Sequence, residues 1–134
     1  MMYLFDTDVL SNLMKARPSE RLLHKLKQID PELQVTSSIT MGELFYGAFL
    51  TSEPARIIIK IESVILPSLK VLPFDENAAR EYGRIRAQLQ RKGFTISEPD
   101  IRIAAICLSN DAILVTGNIK HFCRIKGLKT ENWI

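Results

Sequence analysis

A chain of 134 residues holds one domain with a proper core, taken here as residues 1–134. Its 46% hydrophobic and 25% charged residues suit a globular protein, and Lys60 and Glu62 interrupt the most apolar run, Ile57 to Leu66, which excludes a membrane span. A net charge of +3 defines no partner by itself, while Cys107 and Cys123, with only His24 and His121 beside them, point to free thiols in a reducing cytoplasm and away from a zinc site.

The chain opens with Tyr3-Leu4-Phe5-Asp6-Thr7-Asp8-Val9-Leu10, a buried-strand pattern running into an acid and then into helical spacing at Val9, Leu10, Leu13 and Met14. Asp8 is placed to cap that helix; Asp6 is expected to end the strand, where ligands bind in open parallel sheets. The N-terminus lacks a basic region followed by an apolar core and cleavage site, so no secretory signal is expected. Pro18-Ser19 restarts a helix to about Ile29 with Leu22, Leu23 and Leu26 inward, and residues 33–37 form a strand. Thr40 and Glu43 have the spacing of a capping box, with Ile39 and Leu44 as its hydrophobic staple, so Glu43 has a structural explanation as well as a chemical one.

Glu53-Pro54 starts a helix through Ile65 that Pro67 closes, and residues 70–74 read as a strand. After Asp75 a long helix carries Ala78, Tyr82, Ile85 and Leu89 on one apolar stripe until Gly93. Pro99 suits the first turn of a nearly all-apolar helix, whose Asp100 shares a face with Ala104 and Cys107; a carboxylate there must be paired, protonated or bound to a cation. Residues 113–116 are a strand, Gly117-Asn118 a turn, and residues 128–133 a final edge strand. The whole reads as α/β, a sandwich around a mostly parallel sheet of about five strands.

Crossover helices run against the strands, so Asp6, Glu43, Asp100 and Asn118 should share one edge. Three carboxylates meeting in one pocket would repel unless a hard divalent cation, Mg²⁺ or Mn²⁺, joined them, and such a cation suits phosphodiester hydrolysis. Basic residues cluster early (Lys15, Arg17, Arg21, Lys25, Lys27) and late (Lys120, Arg124, Lys126, Lys129), as a rim for a polyanion or as solvated helix faces.

Four segments in order, Asp6-Thr7-Asp8-Val9-Leu10, Met41-Gly42-Glu43-Leu44-Phe45-Tyr46-Gly47, Pro99-Asp100-Ile101-Arg102-Ile103-Ala104-Ala105 and Leu114-Val115-Thr116-Gly117-Asn118-Ile119-Lys120-His121-Phe122, resemble the PIN-domain nucleases, and among them the VapC-type toxins of prokaryotic toxin–antitoxin pairs. The resemblance covers essentially the whole chain. It implies a PIN-like α/β/α sandwich and a Mg²⁺- or Mn²⁺-dependent endoribonuclease, dimeric and neutralised by a small VapB-type antitoxin. It makes Asp6 and Asp100 metal ligands and Glu43 a further acid that binds a second metal or orients water; Thr116 adds a hydroxyl. The chain departs from the family at Asp8, where Asn is usual, and at Asn118 and His121, one of which is usually a fourth acid. A catalytically inactive binding subunit is therefore an alternative. The Asp-Thr-Asp-Val-Leu segment also resembles haloacid-dehalogenase-like phosphatases, but only a short tail with Glu131 follows the strand where their later acidic motif belongs.

Overall fold

The computed structural model describes residues 1–134. Five short strands, β1 (Tyr3–Phe5), β2 (Gln34–Ser37), β3 (Lys70–Leu72), β4 (Ile113–Val115) and β5 (Thr130–Glu131), form one sheet in the order β3-β2-β1-β4-β5. Every pairing is parallel, with Leu4 opposite Val35 on one side and Leu114 on the other. The chain moves outward from β1 to β2 and β3, then returns to place β4 on the opposite flank of β1. The topological switch point therefore lies between β1 and β4, the place where open α/β sheets bind ligands.

Side-chain alternation along the strands divides the core in two. Leu4, Val35, Leu72 and Leu114 face α5 (Glu76–Arg91), α6 (Glu98–Ser109) and Phe122 of the short α7 (Ile119–Phe122). Phe5 and Val115 face the other way, onto α1 (Thr7–Leu13), Leu22 of α2 (Glu20–Gln28), α3 (Ser38–Phe49) and the segment following α4 (Pro54–Lys60). The result is the expected α/β/α sandwich, with the sheet parallel throughout.

Several local expectations differ from the outcome, among them the third strand, which ends at Leu72 and not at residue 74. The fourth helix does not continue regularly to Ile65: it widens into a π-helical turn at Ile61–Ile65 and closes with a 3₁₀ turn at Leu66–Ser68. The wide turn points both Ile61 and Ile65 into the core, and Pro67, which has no amide hydrogen, ends the segment. Leu23 is exposed and only Leu22 of its helix is fully buried. The last strand is two residues long because it pairs only with Leu114 and Val115 of the three-residue β4. Trp133 secures the tail, its ring centroid 5.2 Å from that of Tyr3 and 5.5 Å from that of Phe5, its indole N–H donating to Glu131 Oε1.

Candidate active site

The register Phe5–Val115 makes Asp6 and Thr116 neighbours just beyond the ends of the two central strands. The Asp6 amide still donates to the Val115 carbonyl (3.0 Å), yet its side chain already belongs to the next element. Asp6, and not Asp8, caps α1: its Oδ1 accepts from the Thr7 amide at 2.7 Å, and the helix begins two residues earlier than expected. The other oxygen, Oδ2, accepts from the Thr116 hydroxyl at 3.0 Å, and that hydroxyl in turn accepts from the Asn118 amide. Thr116 is fully buried, so it fixes the Asp6 carboxylate and the following turn together.

Asp8 is thereby released for a different task. Its Oδ2 accepts from the Gly117 amide at 2.8 Å, tying the start of α1 to the turn after β4. A Cβ at Gly117 would stand 2.6 Å from that same oxygen, so any side chain there pushes the Asp8 carboxylate off the Gly117 amide. This role was not legible in the sequence, where Gly117 reads simply as a turn residue.

The capping box at Thr40 and Glu43 does not form. Ser37 is the cap, its Oγ accepting from the Thr40 amide at 2.9 Å, so α3 starts immediately after β2 and Thr40 lies inside its first turn. Glu43 is consequently free of its helix terminus and accepts from the Thr7 hydroxyl at 2.6 Å, thirty-six residues away in sequence. Thr7, missed by the sequence reading although it stands between the two acids, thus links the first and second acidic segments.

Asp100 lies in the first turn of α6, and its Oδ2 stands 2.8 Å from Nε2 of His121. That ring nitrogen is buried and within ion-pair distance of the carboxylate, but its geometry is not that of a directed hydrogen bond. Arg102 is engaged elsewhere, 3.6 Å from Glu98. Asn118, the other expected fourth group, is exposed and its side chain makes no hydrogen bond; only its amide reaches inward, to Thr116.

Electrostatics single out Asp6. It is 7% exposed, no salt bridge reaches it, and its pKa is pushed up from 3.8 to about 6. Burial is the main cause, and the charges of Asp8 and Asp100 add to it, while the Thr7 amide and Thr116 hydroxyl act in the opposite direction. Asp6 also helps to push the buried Cys107 thiol up, far above its ordinary range, which leaves that cysteine inert.

Asp6 thus feels the charges of both Asp8 and Asp100, although no three His, Cys, Asp or Glu side chains stand in the arrangement of a finished metal cage. Nor do they line a cavity: none of the molecule's three includes Asp6, Glu43 or Asp100. The expected pocket is an open edge. Hard oxygen donors around an uncompensated, desolvated carboxylate nonetheless fit a divalent cation, which removes the repulsion at its source.

The PIN domain family model matches residues 3–128. The ribonuclease VapC2 of Haemophilus influenzae is 39% identical over 132 residues, covering 98% of both chains. The tRNA(fMet)-specific endonuclease VapC of Salmonella typhimurium is 34% identical, covering 98% of this chain and 97% of its own. DNA-bound VapBC from Salmonella typhimurium superimposes with a TM-score of 0.92 at 34% identity, over 100% of this chain and 99% of that one. Sequence and topology agree, and the chain belongs to the PIN-domain family, in its VapC group.

Proposed function

We propose that this protein is a metal-dependent endoribonuclease of the toxin–antitoxin type, acting in the cytoplasm and neutralised by a VapB-type antitoxin. The carrying observation is Asp6: a buried carboxylate at the switch point, flanked by Asp8 and Asp100, with no cationic side chain to compensate it. Asp6 and Asp100 would hold Mg²⁺ or Mn²⁺, with Glu43 as the further acid. When bound, the cation supplies a Lewis acid for the scissile phosphate and lowers the pKa of water.

The side chains of this chain supply the positioning. Thr116 orients Asp6 through Oδ2, and the Thr7 amide holds Oδ1. Thr7 Oγ1 occupies one lone pair of Glu43 Oε1, leaving Oε2 available to accept a proton from an attacking water. Asp8 and Gly117 keep the turn after β4 against α1, so that α7 and His121 stay beside Asp100. Of the two fourth-group candidates, His121 is favoured over Asn118 because its buried, unpartnered nitrogen faces Asp100.

The relatives' names and complexes support RNA as substrate and an antitoxin as partner. Tyr46, Phe49 and Leu50, exposed together at the end of α3, support self-association as a homodimer. The absence of an acid at both Asn118 and His121 favours a second reading, an RNA-binding subunit without catalysis. Incubating the purified protein with RNA, with a chelator and then with added Mg²⁺ or Mn²⁺, separates them: cleavage restored by the cation is expected, and binding without any cleavage at saturating cation establishes the second reading.

A further inference from the structure

The largest cavity of the molecule, about 340 Å³, lies between the end of α5 and the start of α6. Because α6 begins on the sheet edge where β1 and β4 end, this cavity shares that edge with Asp100, two residues along the same helix from Glu98 on its rim. Leu89, Ile96 and Ile101 form its apolar floor and Phe94 one wall. Phe94 is 40% exposed, with the Arg124 guanidinium 4.7 Å from its ring centroid. On the other side, Arg86 and Arg102 lie 6.0 and 5.7 Å from the Tyr82 ring centroid and share one carboxylate, Glu98, at 3.2 and 3.6 Å. Arg124 has no carboxylate partner.

We propose that this cavity is a nucleotide subsite for the RNA strand next to the cleaved bond, with a base stacked on Phe94 and the neighbouring phosphates held by Arg124, Arg86 and Arg102. The inference rests on the ribonuclease reading and extends it to how substrate is gripped. The volume falls at the lower end of the roughly 300–1,000 Å³ of small-ligand pockets, enough for one nucleotide. Three guanidiniums against one carboxylate leave a positive surplus, and two of them can exchange Glu98 for phosphate without being newly exposed to an uncompensated environment. An acidic peptide would use the arginines but has no need of an exposed aromatic wall above an apolar floor; a base does.

The test measures binding in the presence of a chelator, by fluorescence anisotropy of a short labelled single-stranded RNA, with cleavage assayed in parallel after adding Mn²⁺. Phe94→Ala should weaken RNA binding about fivefold or more, the effect of losing one stacked base. Arg124→Ala should reduce the salt dependence of binding by somewhat less than one, about 0.7 for a single-stranded contact. Both side chains are exposed, so circular dichroism melting should match the unsubstituted protein and separate lost contacts from lost fold. Unchanged RNA affinity in both variants, while the unsubstituted protein binds and cuts, overturns the subsite and leaves the ribonuclease reading intact. Loss of polyglutamate binding with RNA affinity preserved assigns the cavity to an acidic peptide and equally overturns it. An unsubstituted protein that neither binds nor cuts RNA removes the underlying reading, and the subsite with it.

Discussion

Asp6 and Glu98 are both carboxylates at helix starts on the same edge of the sheet, and they are treated in opposite ways. Glu98 receives the Tyr82 hydroxyl and sits within ion-pair distance of Arg86 and Arg102, at the surface where water would have compensated it anyway. Asp6 receives one amide and one hydroxyl, lies buried, and faces two further acids. A fold selected for stability alone would place its cations the other way round, since a buried charge gains far more from a partner than an exposed one. On the proposed function, charge is left unbalanced where a cation from outside would bind and balanced where the proposed subsite would let substrate displace a partner.

The sharpest way to break this comparison is to neutralise an acid on the deficient side. Asp100→Asn should lower metal-dependent RNA cleavage by about a hundredfold or more, the scale on which misplaced metal charge is felt in a phosphoryl-transfer barrier. The melting temperature should be equal or higher, because one of the charges acting on Asp6 is gone. Retention of most activity in steady-state cleavage assays would remove Asp100 from the site.

Asp6 itself predicts a pH signature in the metal-free protein. Its folded pKa, about 6, lies above the ordinary 3.8. The unfolded chain therefore gives up this proton first as pH rises, and the stabilising contribution is complete below about 3.8 and lost as pH passes through about 6. The shift corresponds to about 3 kcal/mol. Asp6→Asn should accordingly be the more stable protein at pH 8 by up to that amount, less whatever the altered bonds to Thr7 and Thr116 cost, with the gap closing near pH 4. Urea denaturation at the two pH values measures it. Adding Mn²⁺ at pH 8 should stabilise the unsubstituted protein and leave Asp6→Asn nearly unmoved.

Much of this arrangement was legible in the chain because the strand and helix periods differ. Leu4 and Phe5 alternate across the sheet, and Ala78, Ile85 and Leu89 recur along α5, so the layers and the shared edge of the acids followed from spacing. What the spacing could not resolve were the junctions. Where a strand passes directly into a helix, Asp6 and Asp8, or Ser37 and Thr40, are equally good caps by residue type, and only the packed geometry chooses between them. That choice sets where Glu43 points, since the cap at Ser37 frees it to meet Thr7. The approach of His121 to Asp100 is a tertiary event, set by the short α7 folding back beside α6, and no local pattern encodes it.

The smallest expected effect comes from the balanced side. Glu98→Ala removes three exposed or half-exposed partnerships, and because surface ion pairs contribute little, stability should change by no more than about 1 kcal/mol. The consequence lies instead in what the arginines do once released. Arg86 and Arg102 remain beside Tyr82, now without a carboxylate between them and an approaching phosphate. RNA affinity should rise a few-fold at low salt, and the gain should shrink as salt screens it, because the added attraction is electrostatic. The same substitution leaves Asp6 and its two neighbours untouched, so the pH dependence of stability between pH 4 and 8 should superimpose on that of the unsubstituted protein. Affinity that falls on losing Glu98 would mean that the carboxylate holds the two guanidiniums in the geometry RNA requires, which would turn the contrast between the two sides from charge balance into positioning.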